Sequence, residues 1–160
     1  MGTACAASST LGAATTREAY RAGGMDLDKA REFVREHSHA VLATFRRDGR
    51  PQLSPVAVAI DDAGFAVISS RETAIKVKNL RRDPRVTLCV ISETFYGPWT
   101  QLDGTAEIVS LPAAMEPLVD YYRRLSGEHP DWDDYRAAMV RDQRVVVRIT
   151  PERAGPDRAG

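Results

Sequence analysis

The sequence predicts a mainly β fold, a largely antiparallel barrel with helices at its periphery. Three observations carry this. Apolar runs of strand length, such as Ala40–Phe45, Gly64–Ile68 and Val86–Ile91, are separated by turn residues. Two of the junctions, Arg47-Asp48-Gly49-Arg50 and Asp61-Asp62-Ala63-Gly64, read as hairpin turns, because their glycines supply the positive φ that tight hairpins need. The order is helix, three strands, helix, two strands, two helices, strand, which argues against a doubly wound parallel sheet.

The first helix is predicted from Leu27, Ala30, Phe33 and Val34, which recur at helical spacing and end near His37. Ala40–Phe45 is the first strand, and Pro51–Ile60 returns from the Asp-Gly turn. Pro51 and Pro55 cannot donate to a ladder, so this strand belongs at an edge or carries a bulge. Trp99–Val109 reads as a long strand kinked at Gly104. Pro112 is expected to start a helix through Met115, Leu118, Val119 and Tyr122. Asp133–Arg141 is a second helix, its start charged by Asp131, Asp133 and Asp134. Arg144–Thr150 is the last strand.

Length and composition set the bounds. A chain of 160 residues forms one domain with a core that needs no staple. Its 22 lysines and arginines match its 22 aspartates and glutamates, which argues against nucleic acid as a partner, since such binders carry a basic excess. Cys5 falls in a polar segment and Cys89 in an apolar strand. With no Cys-x-x-Cys and no Cys/His cluster, no metal site is expected. No apolar run reaches the ~20 residues that span a bilayer, and the N-terminus lacks the pattern of a signal peptide. No membrane partner and a cytoplasmic location are therefore expected. Residues 1–24 hold few large apolar side chains and bury too little to offset their ordering entropy. A disordered leader is expected there, then one domain over 25–153 and a loose tail over 154–160.

The chemically distinctive stretch is Ser69–Arg85, SSRETAIKVKNLRRDPR. It predicts a short helix, capped by the Thr73 hydroxyl and ended at Asp83-Pro84, with cations at Lys76, Lys78, Arg81, Arg82 and Arg85. A helix start with lysines one turn in favours an anion such as phosphate. The alternative is a basic helix that faces water. His37, His39 and His129 have no Ser, Cys or carboxylate at the spacing of a triad or ligand set.

Four blocks carry a resemblance: AVLATFRRDGRPQLSPV, KVKNLRRDPRVTLCV, DGTAEIV and GEHPDWDDYRAAMVRDQRVVVRITPER. They resemble the pyridoxamine 5′-phosphate oxidase-like, FMN-binding split barrels. Within that superfamily they are most similar to the PPOX-class branch of F-420-dependent enzymes, to which the GEHPDWDDY segment points. The likeness spans Leu27 to Arg153. It implies a homodimer of split barrels with two cofactor sites at the interface. The cofactor ring would lie along Gln52, Leu53, Ser54 and Pro55, lined by the backbone of Ile68, Ser69 and Ser70. Lys76, Lys78 and Asn79 would hold its phosphate, and Trp99, or else Phe95 and Tyr96, would approach the ring from the facing subunit.

Each of these residues also has a plain structural reading. Ser54 beside Pro55 can mark a bulge, Asn79 can brace its helix, and Trp99 can simply pack. The activity implied is an oxidoreductase, with hydride passing from C5 of reduced coenzyme F-420, a deazaflavin, to an electron-poor conjugated small molecule. The oligoglutamate tail of F-420 would want further cations, for which Arg81, Arg82, Arg85 and Arg144 are candidates. One alternative is an FMN-dependent oxidoreductase of the same fold. The other is a non-catalytic split barrel that binds a cofactor or heme.

Overall fold

A single residue, Val58, joins the two edges of the sheet. The structure, a computed structural model, describes residues 24–159. Among them are four helices, α1 (Leu27–Glu36), α2 (Ile75–Arg82), α3 (Met115–Ser126) and α4 (Trp132–Arg141). The seven strands are β1 (His39–Phe45), β2 (Pro51–Ala57), β3 (Ala59–Ile60), β4 (Ala66–Arg71), β5 (Arg85–Ile91), β6 (Pro98–Val109) and β7 (Arg144–Ala159). Neighbouring strands are antiparallel, in the order β2-β1-β5-β6-β7-β4-β3. Laid flat, β2 and β3 would stand about 29 Å apart at the usual strand spacing of about 4.8 Å. Yet Ala57 and Ala59 flank one residue, and two peptide steps span at most ~7 Å. The sheet therefore curls until its edges meet, which makes it a split barrel.

The interior follows from alternation along the strands. Ala40 and Leu42 of β1, Val86, Leu88 and Val90 of β5, Leu102 of β6 and Val145, Val147 and Ile149 of β7 point inward and pack with Val58, Ile60 and Ile68. α1 closes the interior with Ala30 and Val34, and α2 contributes Val77 and Leu80. A second cluster lies outside the barrel wall. There α3 and α4 set Leu118, Val119, Tyr135 and Met139 on Val67 of β4 and Val146 of β7. Because β7 is covered on both sides, it reads Val145-Val146-Val147 without alternation.

Several sequence expectations hold with shifted bounds, and four are corrected. The Pro51–Ile60 run is two strands, broken where the Val58 N–H turns to the Ser38 carbonyl at 2.9 Å. β2 is an edge strand in unbroken register with β1, so its prolines mark an edge and no bulge. Thr73 does not cap α2. That helix starts one residue later, on Ala74, and no side chain caps it. Pro112 does not start α3 but lies in the preceding turn, where its carbonyl accepts from the Met115 N–H at 3.1 Å. Pro117 occupies the first helical turn instead, where a missing N–H costs nothing.

The tail expected to be loose continues β7 to Ala159, because β6 is long enough to offer it ladder partners, such as Leu102 for Ala154. The leader falls outside the described residues, apart from Gly24. The kink expected at Gly104 is a register shift between Asp103 and Gly104 against β7. A Cβ on Gly104 would lie 2.2 Å from the Thr150 carbonyl oxygen. Gly104→Ala must therefore displace backbone, and a loss of about 1–3 kcal/mol of unfolding free energy is expected, as for other overpacked sites. Urea denaturation of the variant tests this, and an unchanged midpoint would contradict the close approach.

Candidate cofactor site

Where the sheet closes, β2 and β4 come together without sharing a ladder. The Tyr121 side chain of α3 spans this seam. Its hydroxyl donates to the Ala57 carbonyl at 3.0 Å. Burial raises the phenol pKa, while the Ser69 N–H facing the phenol oxygen and the Arg144 charge act the other way. Tyr121 thus places a side-chain hydrogen bond to β2 in the seam, where a ladder would stand elsewhere. Nothing in the sequence singled it out, because a tyrosine at helical spacing reads as core.

The β2 side chains divide by face. Gln52 and Ser54 turn inward, and their polar groups are engaged. The Gln52 amide donates to the Ser54 hydroxyl at 2.7 Å and to the Leu53 carbonyl at 2.8 Å, and accepts from the Thr44 hydroxyl at 3.2 Å. Ser54 is therefore a buried partner of Gln52 and offers no free hydroxyl outward. What β2 presents outward is Pro51, Leu53 and Pro55, with Leu53 62% exposed. Across the seam, Ile68 and Ser70 are buried and Ser69 is half-buried, opposite Val147, Val145 and Val146 of β7. The structure brings these two expected segments together as the walls of one seam.

At the end of β4 the chain enters α2, whose cations divide into two groups. Arg81 makes two hydrogen bonds to Glu72, at 2.9 and 2.7 Å, and one to Ser110. Arg82 bonds the Phe45 carbonyl and the Asn79 side chain. Arg85 bonds Asp83 at 3.0 and 2.7 Å, lies over the Phe45 ring and holds the Asp83 carboxyl down at about 2. Asn79, expected among the cofactor residues, is buried and braces α2 to β1. It donates to the Thr44 hydroxyl at 3.1 Å and accepts from Arg82 at 3.2 Å.

Lys76 and Lys78 have no such partner among the described residues. Lys78 is exposed and Lys76 half-buried. Burial and then the Arg144 charge lower the Lys76 pKa. An uncapped helix start next to an unpaired, partly desolvated ammonium suits a phosphate. The residues present thus fit a phosphate-bearing cofactor. Among the described residues no group of His, Cys, Asp or Glu could hold a metal ion.

Trp99 is not at this seam. In register it follows Ala57, His39 and Ile91 on the outward face of β2, β1, β5 and β6. Three strand spacings, about 14 Å, separate it from β2. Phe95 and Tyr96, at the tip between β5 and β6, are 76% and 79% exposed and meet edge to face at 5.1 Å. The same outward face carries Val41, Ala43, Leu53, Cys89 and Ile91, while the described helices pack mainly on β1, β3, β4, β6 and β7.

A closed seven-stranded sheet with a seam ending at an open helix start defines a split barrel. The chain belongs to the pyridoxamine 5′-phosphate oxidase family, whose profile matches residues 27–156. It is similar to a conserved hypothetical protein from Mycobacterium tuberculosis, with 30% identity over 84% of this chain and 86% of that one and a TM-score of 0.68. An F420 reductase matches at 22% identity over 78% and 94% of the two chains, with a TM-score of 0.61. The heme storage protein HutZ from Vibrio cholerae matches at 18% over 85% and 98%, with a TM-score of 0.60. The last two likenesses are in fold.

A lysine whose pKa is lowered by folding costs stability while it is charged, because the unfolded chain binds its proton more tightly. The cost is full below the lowered value and gone above the ordinary value of 10.5. Lys76→Gln is therefore expected to raise the thermal midpoint at pH 7, and the gain should shrink to nothing as the pH passes 10.5. A midpoint at pH 7 equal to the parent's would refute the strained-ammonium assignment.

Proposed function

We propose that the protein is an oxidoreductase that uses coenzyme F-420, passing a hydride to an electron-poor conjugated small molecule. The observation that carries this is Lys76, unpaired and half-buried at the uncapped start of α2, where the β2–β4 seam ends. Reduced F-420 would supply the hydride from C5 of its ring, and the protein would bind, orient and exclude water. Lys76 and Lys78, with the free N–H groups of the first α2 turn, would hold the phosphate. The Leu53 and Pro55 edge of β2 and the backbone of Ile68, Ser69 and Ser70 would flank the ring.

The reading includes a homodimer. Trp99 lies three strands from β2, so within one chain it cannot reach a ring held there. A second copy laid on the outward face would bring its own Trp99, Phe95 and Tyr96 to that ring and cover Leu53, Val41 and Ile91. Similarity to an F420 reductase supports the choice of cofactor. FMN shares the phosphate and is the rival to be measured.

The test is a fluorescence titration with F-420 and, separately, FMN, alongside light scattering for the dimer. F-420 is expected to bind more tightly than FMN. Lys76→Ala should weaken it about 10- to 100-fold, the value of a hydrogen bond to a charged group. Tighter FMN binding would move the protein to flavin chemistry, and binding of neither would end the cofactor reading.

A further inference from the structure

The corner where β4 ends and β7 begins holds more positive charge than the chain around it compensates. Arg71 and Arg144 are register partners on the β4–β7 ladder, so two guanidinium side chains start from directly opposed positions, where like charges repel. Asp142 is the carboxylate they share, and it lies 3.6 Å from each, beyond hydrogen-bond range. The Arg144 Nε is buried and has no hydrogen-bond partner. The nearest other carboxylate along the chain, Glu72, is already taken by both forks of Arg81.

The Glu72 N–H donates to the Gln143 carbonyl at 2.9 Å, which stitches the approach to α2 against the start of β7. The Arg144 charge also acts on Lys76. A buried N–H without an acceptor and two arginines with one loose carboxylate are what an anion site looks like without its anion.

We propose that Arg71 and Arg144, next to Lys76, form a subsite for the carboxylate-bearing chain that F-420 carries beyond its phosphate. This rests on the cofactor reading above. The planar guanidinium forks match carboxylates two bonds at a time, and two of them side by side suit a chain with repeated carboxylates. The other arginines open to this role, Arg81, Arg82 and Arg85, are bonded within the fold. FMN ends at its phosphate and would make no use of this corner.

The experiment compares two ligands on the intact protein, F-420 with several glutamates and the same deazaflavin phosphate with none. Affinities are read from fluorescence. Arg144→Leu is expected to weaken the glutamylated form at least tenfold and the form without glutamate less than twofold. Arg144→Lys should recover part of the loss. Arg71 is largely exposed, so Arg71→Leu gives a second variant with the same expected preference if Arg144→Leu does not fold. Equal weakening of both ligands would overturn the proposal and assign the corner to the shared phosphate. No change for either ligand would also overturn it. If the parent protein binds neither form, the cofactor reading fails and this subsite with it. If the parent binds both and the variants do not discriminate, the subsite alone fails.

Discussion

The step from Ala57 through Val58 to Ala59 governs the rest of the fold. It ties the first and last strands of the sheet order together and forces closure of a sheet that would otherwise be open. A closed antiparallel sheet normally pairs every edge, but here β3 is two residues long and leaves most of β4 facing β2 without a ladder. The gap is bridged by a side chain, Tyr121, from a helix that is itself held on the outer wall by Val67 and Val146. The place where the barrel is least completely paired is the seam proposed for the cofactor, and the uncapped start of α2 follows the end of β4 that lines it.

Electrostatics sorts the same region. Arginines that serve the fold have their partners: Arg81 with Glu72, Arg82 with the Phe45 carbonyl, and Arg85 with Asp83. Those at the strand end, Arg71 and Arg144, share the single loose carboxylate of Asp142, and Lys76 is both partly desolvated and repelled. A protein selected for stability alone would neutralise such a corner. Groups left at a disadvantage in the free protein are the ones through which a ligand gains affinity, since binding relieves what folding imposed.

Much of this could be read from the sequence, and the failures have specific causes. The two glycine-containing turns, the Pro-marked edge strand, the Gly104 irregularity and the acidic start of α4, where the Asp131 carboxylate accepts from the Asp133 and Asp134 N–H groups, were legible because each rests on a local rule. Thr73 and Pro112 misled because helix boundaries shift by a residue or more when tertiary contacts decide them. The polar tail concealed a strand, since the pairing that holds it belongs to β6. For the site, Lys76 and Lys78 stood out by type and spacing. The occupied states of Ser54 and Asn79 depend on Gln52 and Thr44, which are distant in sequence or inward by register. Tyr121 carries no signature at all, because its role comes from a seam between strands it does not adjoin in the chain.

The position of β7 has a consequence for how the molecule is made. Strands β2, β1, β5 and β6 are neighbours in the sheet and can assemble as the chain emerges from the ribosome. The β3–β4 hairpin, tied to β2 only through Val58, can enter the hydrogen-bonded sheet only by way of β7, the last of the described strands in the chain. Until Arg144 onward is available, β4 has bare backbone on one side and β6 on the other, a state in which nascent chains are prone to mispair. The run of three valines therefore sits in the strand that completes the sheet, and the barrel cannot close before β7 is in place.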